Sequence, residues 1–195
     1  DYSMKKAFLL ASILFISVIS TACINNFAVQ ELNNKAKTFM DNGDYTSAIE
    51  RLKSSVDLDS SVFETQYNLA VAYTKAEDYP NAIKTYGNAI KLNPDFADAY
   101  YSLAVCEENL AKDIIAGRVK VNDDNSIEKV DKTDAESDTK VVLSENSKKM
   151  LNDLLNNAIS DYGLYQDKNT SQDDKTYIEE KVKELQMLLA QNVVK

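Results

Sequence analysis

The stretch that decides the fold runs from residue 61 to residue 95 and reads SVFETQYNLAVAYTKAEDYPNAIKTYGNAIKLNPD. Its apolar residues recur at the three- and four-residue spacing of an amphipathic helix, not at the alternation of a strand. The two apolar faces consist of Leu69, Ala70 and Tyr73 in the first segment and of Ala82, Ile83, Tyr86, Ala89 and Ile90 in the second. Because Glu77-Asp78 separates the segments, the stretch predicts a helical hairpin.

Signals for helix ends flank both segments. Ser61 followed by Glu64 predicts a capping box at the start of the first helix. Asp78 is placed to cap the second helix, with Pro80 in its first turn, and Asn93-Pro94 is expected to end it.

The spacing of these residues resembles the tetratricopeptide repeat, whose signature runs aromatic, Leu-Gly, Tyr, Ala, Phe, Pro. In this chain the signature positions are Gln66, Leu69-Ala70, Tyr73, Ala82, Tyr86 and Pro94. Gln66 is the one residue out of type. The resemblance implies an all-α, right-handed solenoid that binds other proteins.

Copies of the pattern precede and follow this stretch. A shift of about 34 residues, the period of the repeat, lays Asp44-Tyr45 on Asp78-Tyr79. A forward shift lays Leu103-Ala104 on Leu69-Ala70. We therefore predict about three hairpins, over residues 29–62, 63–96 and 97–165, within a tetratricopeptide-like domain that spans residues 29–192.

The third repeat is interrupted by a polar stretch. Residues 117–147 carry charges of both signs and lack aromatics, which is typical of a disordered insertion. Within it, Arg118–Val121 and Lys140–Leu143 are candidates for a small hairpin. The missing second helix is then expected where Leu151, Leu155, Ala158, Ile159 and Tyr162 are spaced like Ala82, Tyr86, Ala89, Ile90 and Asn93. A final amphipathic helix over residues 173–192 is predicted to cap the solenoid.

The start of the chain has the pattern of an export signal. A basic start, a short apolar run and small residues over residues 1–22 predict a signal peptide. The following Cys23 resembles the acylated cysteine of bacterial lipoproteins, although Ser20 stands where that family prefers leucine. The alternative is an ordinary signal peptide. The lipoprotein reading implies a membrane anchor on Cys23, a tether over residues 23–28 and a location in the bacterial cell envelope.

Composition argues against several classes of function. The formal net charge is −9, which disfavours nucleic acid as a partner. The chain has no histidine, so the commonest general base and metal ligand are missing. Cys106 therefore has no histidine to activate it and fits a small buried residue. We expect no enzyme activity, no metal and no cofactor.

In a tetratricopeptide array the first helix of each repeat lines a concave groove. By the repeat register, the groove residues are Asn33, Asn34, Lys37, Met40, Tyr67, Asn68, Val71, Thr74, Tyr101, Ser102, Val105 and Glu108. Tyr67 and Tyr101 fit either a binding strip or spacers between helices. Lys37 and Asn68 resemble part of the clamp with which some family members grip a carboxylate, but Asp98 stands where a cation is needed. A basic or neutral peptide suits this groove better.

The predicted function is thus a lipid-anchored scaffold that holds protein or peptide partners at a bacterial membrane. Two alternatives stay open. The chain is an accessory subunit of an envelope enzyme, with Cys106 or the insertion contributing chemistry, or it is a lipoprotein that captures peptides or solutes.

Overall fold

The computed structural model describes residues 25–130, 142–169 and 171–193. The predicted signal peptide and Cys23 lie outside these residues. Seven helices and one two-stranded hairpin make up the described chain, and the helices pair in sequence order. The prediction of an all-α solenoid of tetratricopeptide-like hairpins is confirmed.

The first hairpin consists of α1, described over residues 25–41, and α2, Tyr45–Leu58. Residues 25–28, predicted as tether, already belong to α1 because Val29 and Ala36 on the same helix are buried in the fold. Asp44 caps α2 by accepting a hydrogen bond from the backbone N–H of Ser47.

The second hairpin joins α3, Phe63–Lys75, to α4, Tyr79–Leu92. Asp78 caps α4 as predicted, since its carboxylate accepts from the N–H of Asn81. The capping box is wrong: Val62 occupies the cap position of α3, and both the N–H and the hydroxyl of Ser61 donate to Asp59. The nearby Asp59 carboxylate thus takes the hydroxyl that α3 would otherwise use.

The third hairpin is longer than the second. Its helices are α5, Ala97–Ile115, and α6, Glu145–Lys168, and they are joined through β1, Val119–Val121, and β2, Ile127–Lys129. Helix α5 has 19 residues where α3 has 13. The extra turns carry Leu110 and Ile114 into a core shared with α6 and β1.

Part of the predicted insertion is ordered, which corrects the expectation of disorder over 117–147. Val121 pairs with Ile127 and Val119 with Lys129 in an antiparallel ladder. Burial of Val121 against the helices holds the strands in place. β1 pairs with the nearer β2, which the sequence did not predict; of the predicted partner Lys140–Leu143, the first two residues lie outside the described chain, and Val142 and Leu143 belong to no strand.

The register predicted for α6 is also wrong. Tyr101 contacts Tyr162 at 5.9 Å between ring centroids, as Tyr67 contacts Tyr86 at 5.8 Å. Tyr162 therefore corresponds to Tyr86, and the sequence Ala158-Ile159-x-x-Tyr162-Gly163 repeats Ala82-Ile83-x-x-Tyr86-Gly87. Helix α6 begins 13 residues before Ala158, because its first turns pack on the extended end of α5.

Helix α7, Gln172–Val193, packs on α6 and closes the array. It occupies the place of the first helix of a following repeat. The hydroxyl of Thr74 on α3 lies 3.2 Å from the sulfur of Cys106 on α5, the first helix of the next repeat. Glu108 on α5 stands one period after Thr74, and it accepts a hydrogen bond from Lys181 of α7 at 2.8 Å. The α7 side chains Ile178 and Leu185 are fully buried.

Candidate functional site

Helices α1, α3 and α5 carry the predicted groove residues. On α1 and α3 they border a surface depression of about 340 Å³. Its lining consists of Asn33, Asn34, Ala36, Lys37, Met40, Asp41, Leu52 and Asn68. Three predicted site residues, Asn33, Lys37 and Asn68, are therefore brought together here.

Asn33 has a structural role as well as a place in the depression. Its side-chain amide donates to the hydroxyls of Ser55 on α2 and Thr65 on α3, at 3.2 and 2.8 Å. It also donates to the carbonyl of Val29. Its Oδ1 atom is buried and has no hydrogen-bond partner among the described residues. Asn33 thus ties three helices together and leaves one acceptor unused.

Lys37 and Asn68 are available at the surface. Lys37 pairs with Asp41 at 2.8 Å, but its side chain is 74% exposed, and an exposed pair of this kind contributes at most about 1 kcal/mol. Asn68 is half-buried and makes no side-chain hydrogen bond within the described chain. Val71 lies one turn further along α3 and is also half-buried. Lys37 and Asn68 can therefore meet a ligand without breaking a strong internal contact, whereas Val71 packs against the buried cluster that contains Ala70 and Tyr86.

Tyr67 packs into an aromatic cluster. Its ring lies 5.8 Å from Phe63, 5.2 Å from Phe96 and 5.8 Å from Tyr86, measured between centroids. Burial raises the pKa of the Tyr67 hydroxyl. The geometry is that of a spacer which fills the junction of α3, α4 and the start of α5.

Tyr101 fills the equivalent junction one repeat later. It contacts Tyr162 at 5.9 Å and Tyr165 at 5.3 Å, both on α6. Burial raises the pKa of Tyr101 to about 12, with Tyr177 of α7 adding to the shift. Val105, on the same helix, is half-buried against the same core.

Thr74 lies in the interface between α3 and α5. Its hydroxyl donates to the carbonyl of Ala70 at 2.8 Å and lies 3.2 Å from Cys106 Sγ. Burial raises the pKa of the Cys106 thiol to about 11, so the thiol is protonated at neutral pH. A protonated, fully buried thiol is a poor nucleophile.

Glu108 is a buried junction of three helices, and its carboxylate is not free for a partner. The side chain is 4% exposed and accepts from Tyr162 Oη and from Lys181 Nζ, both at 2.8 Å. Lys112 on α5 forms an ion pair with the same carboxylate. Burial alone raises the pKa of Glu108, but these three donors outweigh it and hold the pKa below its usual range.

The sequence interpretation missed a second buried carboxyl. Glu107 is 3% exposed, and its Oε2 atom has no hydrogen-bond partner in the described chain. Burial, then the charge of Asp161 on α6, raises the pKa of Glu107 to about 9. Burial raises the pKa of Asp161 to about 6. The repeated Ala-Ile-x-x-Tyr-Gly motif was the sequence signal that places Asp161 opposite Glu107.

Sequence comparison identifies the repeat. Residues 33–88 match a family described as the tetratricopeptide repeat, and residues 72–106 match a TPR repeat family. The stretch 33–106 therefore carries tetratricopeptide repeats, as the signature predicted. No curated protein matches the chain.

Solved tetratricopeptide domains share the fold. The Arabidopsis OM64 TPR domain aligns with a TM-score of 0.56 and 11% identity, over 82% of this chain and 98% of that one. The first TPR of Spaghetti (RPAP3), bound to the HSP90 peptide SRMEEVD, gives 0.54 and 16%, over 83% and 93%. The TPR2B domain of yeast Sti1, in complex with pHsp70, gives 0.51 and 14%, over 83% and 98%.

The described residues contain no helix that is long and apolar enough to cross a membrane. They also contain no group of three or more acidic or cysteine side chains arranged to hold a metal ion.

Proposed function

We propose that the protein is a non-enzymatic scaffold that binds an extended peptide of a partner protein on the groove face of α1 and α3. The depression between these helices carries the proposal, because Asn34 and Asn68 present amides beside the apolar side chain of Met40. Amides pair with peptide backbone, and apolar surface receives side chains. Spaghetti and Sti1, which share the fold, are seen with bound partners.

The contact surface is confined to the first two repeats. Thr74, Tyr101 and Glu108 are occupied by contacts within the fold, whereas Asn68 makes no side-chain hydrogen bond in the described chain and Lys37 makes only an exposed ion pair with Asp41. A peptide that crosses α1 and α3 therefore contacts the second group. The first group shapes the end of the groove.

The charges favour a basic or neutral peptide. Lys112 and Lys181 are committed to Glu108, so the lining of the depression offers a carboxylate one cation, Lys37, whose charge the neighbouring Asp41 offsets. At the other edge of the groove, Glu64 and Asp98 are exposed and form no ion pair in the described chain. The peptide SRMEEVD, which is seen on Spaghetti, is acidic at its end and lacks counter-charges here.

The cell-envelope location is part of the same proposal. Cys23 stands two residues before the described start of α1, so an acyl chain on Cys23 would hold the first repeat near a membrane surface. Each buried methylene of such a chain contributes about 0.8 kcal/mol. Detergent phase partitioning tests the anchor: wild type should enter the detergent phase, and Cys23→Ser should remain in the aqueous phase. Equal partitioning of the two proteins would contradict acylation.

Peptide selection tests the binding surface. A phage-displayed library of random dodecapeptides is selected on the full chain, and the best peptides are measured by fluorescence anisotropy. We expect an excess of basic over acidic residues in the selected peptides. Asn34→Ala and Asn68→Ala should each weaken binding by about threefold to tenfold, the value of one hydrogen bond.

Lys84→Ala is the matched control, because Lys84 is exposed on α4, away from the depression. Its affinity should equal that of wild type. Binding that is unchanged in Asn68→Ala, or that falls equally in Lys84→Ala, would contradict the proposed surface.

A further inference from the structure

Two carboxyls face each other inside the third hairpin, at positions where the second hairpin is neutral. Glu107 follows Tyr73 by one repeat period, and Asp161 corresponds to Thr85 in the register set by Tyr162 and Tyr86. Thr85 satisfies its hydroxyl on its own helix, at 2.7 Å from the carbonyl of Asn81. Asp161 has no such option, because a carboxylate cannot donate.

Within the described residues, the surrounding groups supply no compensating cation. Asp161 is the charged group that acts on Glu107. Among the other elements packed on α5, helix α4 presents the neutral Tyr79 and Tyr86, and α3 presents Thr74. Arg118, beside β1, is paired with Asp113. Lys112 and Lys181 are bound to Glu108. Two ionised carboxylates would therefore lie together without a donor between them.

The residues next to this pair hold three helices together. Glu108 follows Glu107 on α5, and Tyr162 follows Asp161 on α6; their side chains meet at 2.8 Å. The same Glu108 carboxylate binds Lys181 of α7. Repulsion between Glu107 and Asp161 therefore acts directly on the helical turn of α5 through which Glu108 contacts α6 and α7.

We propose that Glu107 and Asp161 share one proton that holds α5 against α6, and that loss of this proton opens the third hairpin together with α7 while the first two hairpins stay closed. With the proton present, one carboxyl donates to the other and the buried Oε2 of Glu107 gains a partner. Without it, the buried carboxylate of Glu107 and the half-buried carboxylate of Asp161 repel each other across the hairpin.

Hydrogen exchange followed by mass spectrometry tests the proposal on the full chain. Exchange is measured at pH 6.5 and pH 8.5 and corrected for the intrinsic exchange rate at each pH. Because opening releases about one proton, protection of α5, α6 and α7 should fall about tenfold per pH unit, or about a hundredfold in all. Peptides from α2, α3 and α4 should change by less than about threefold.

Substitutions assign the effect to this pair. Glu107→Gln keeps the shape and supplies a permanent donor, so corrected protection of α5 to α7 should become equal at the two pH values. Asp161→Asn removes the other carboxyl and should do the same. Asp153→Asn is the matched control, because Asp153 is exposed on α6, and it should retain the full pH response.

The hydrogen-exchange results either support or overturn the shared proton. Equal wild-type protection at both pH values overturns the proposal, as does a pH response that persists in Glu107→Gln or covers all helices equally. If neither carboxyl variant folds, the distribution of the wild-type response along the chain decides it.

Discussion

The second hairpin, α3–α4, and the third, α5–α6, are two versions of one repeat. Both carry a Leu-Ala pair on their first helix, and both bury an Ala and a Tyr of the Ala-Ile-x-x-Tyr-Gly motif. In the second hairpin Tyr86 Oη lies 3.4 Å from Thr74, and the interior is neutral. In the third, Tyr162 donates to a buried carboxylate beside a second buried carboxyl. The repeat pattern sets the backbone, while the residues between its signature positions set the electrostatics.

The turns show the same relation. Glu77 has φ 55° and Gly43, one period earlier, has φ 76°. Gly117 has φ 67° and ends α5 in the same way, with Arg118 N–H bonding back to Asp113 as Asp78 N–H bonds back to Tyr73. The third turn is therefore the usual turn displaced along a longer helix, and the β-hairpin follows it.

The largest expected effect tests whether Tyr86 and Tyr162 occupy equivalent positions. Both side chains are fully buried, so Tyr86→Ala and Tyr162→Ala should each lower the free energy of unfolding by about 3–5 kcal/mol. Tyr177→Ala, at a 48% exposed position, should cost less than about 1 kcal/mol. Urea denaturation measures all three. A small loss of stability in Tyr162→Ala together with a large loss in Tyr86→Ala would show that the two tyrosines do not occupy equivalent positions.

The hydroxyl groups of the same two tyrosines should contribute different amounts to the free energy of unfolding. Tyr162→Phe deprives the buried Glu108 carboxylate of a donor and should cost about 1.5–3 kcal/mol. Tyr86→Phe removes only a long contact to Thr74 and should cost at most about 1 kcal/mol. Urea midpoints measured at pH 6 compare the pair, and equal losses would remove the electrostatic distinction between the hairpins.

The pH dependence of global stability should follow the third hairpin. The pKa of Glu107 is raised from 4.5 to about 9 in the folded chain. Its contribution to stability is therefore complete below about pH 4.5 and is lost as pH rises toward 9, at up to about 1.4 kcal/mol per pH unit. Urea denaturation between pH 6 and 9 should show this slope in wild type and a flat profile in Glu107→Gln. A slope that is unchanged in the variant would place its origin elsewhere.

The smallest expected effect concerns Glu77, which adopts the backbone conformation that suits glycine. Glu77→Gly should stabilise the chain by about 1 kcal/mol, because a left-handed residue with a Cβ costs roughly 1–2 kcal/mol. Gly43→Ala should destabilise by a similar amount, although a Cβ there meets no atom within 4 Å. Thermal unfolding compares the two, and a loss of stability in Glu77→Gly would contradict the turn equivalence.

The sequence predicted the parts of the fold that rest on local periodicity. Helices α2 to α5, the Asp78 cap and the closing helix follow from apolar spacing and cap residues. The register of α6 did not follow, because the apolar residues Leu151 and Leu155 of its extra turns have the same spacing as the repeat pattern. The Ser61 cap failed because Asp59 competes for the same hydroxyl.

The candidate site was predicted less completely than the fold. Repeat register placed Asn33, Lys37 and Asn68 around one depression. It gave no sign that Glu108 is bound by Lys181 and Tyr162, because those partners are more than 50 positions away in the chain. Groove residues can be located by position, but whether they are free depends on long-range contacts.

The measurement that tests the binding surface most directly is a chemical-shift titration of the isotope-labelled full chain with a selected dodecapeptide. The largest amide shifts should fall on Asn34, Lys37, Asn68 and Val71, with little change at Lys84 on α4 or Asp153 on α6. Shifts that centre on α4 or α6 and leave the groove residues of α1 and α3 unmoved would contradict the proposed binding surface.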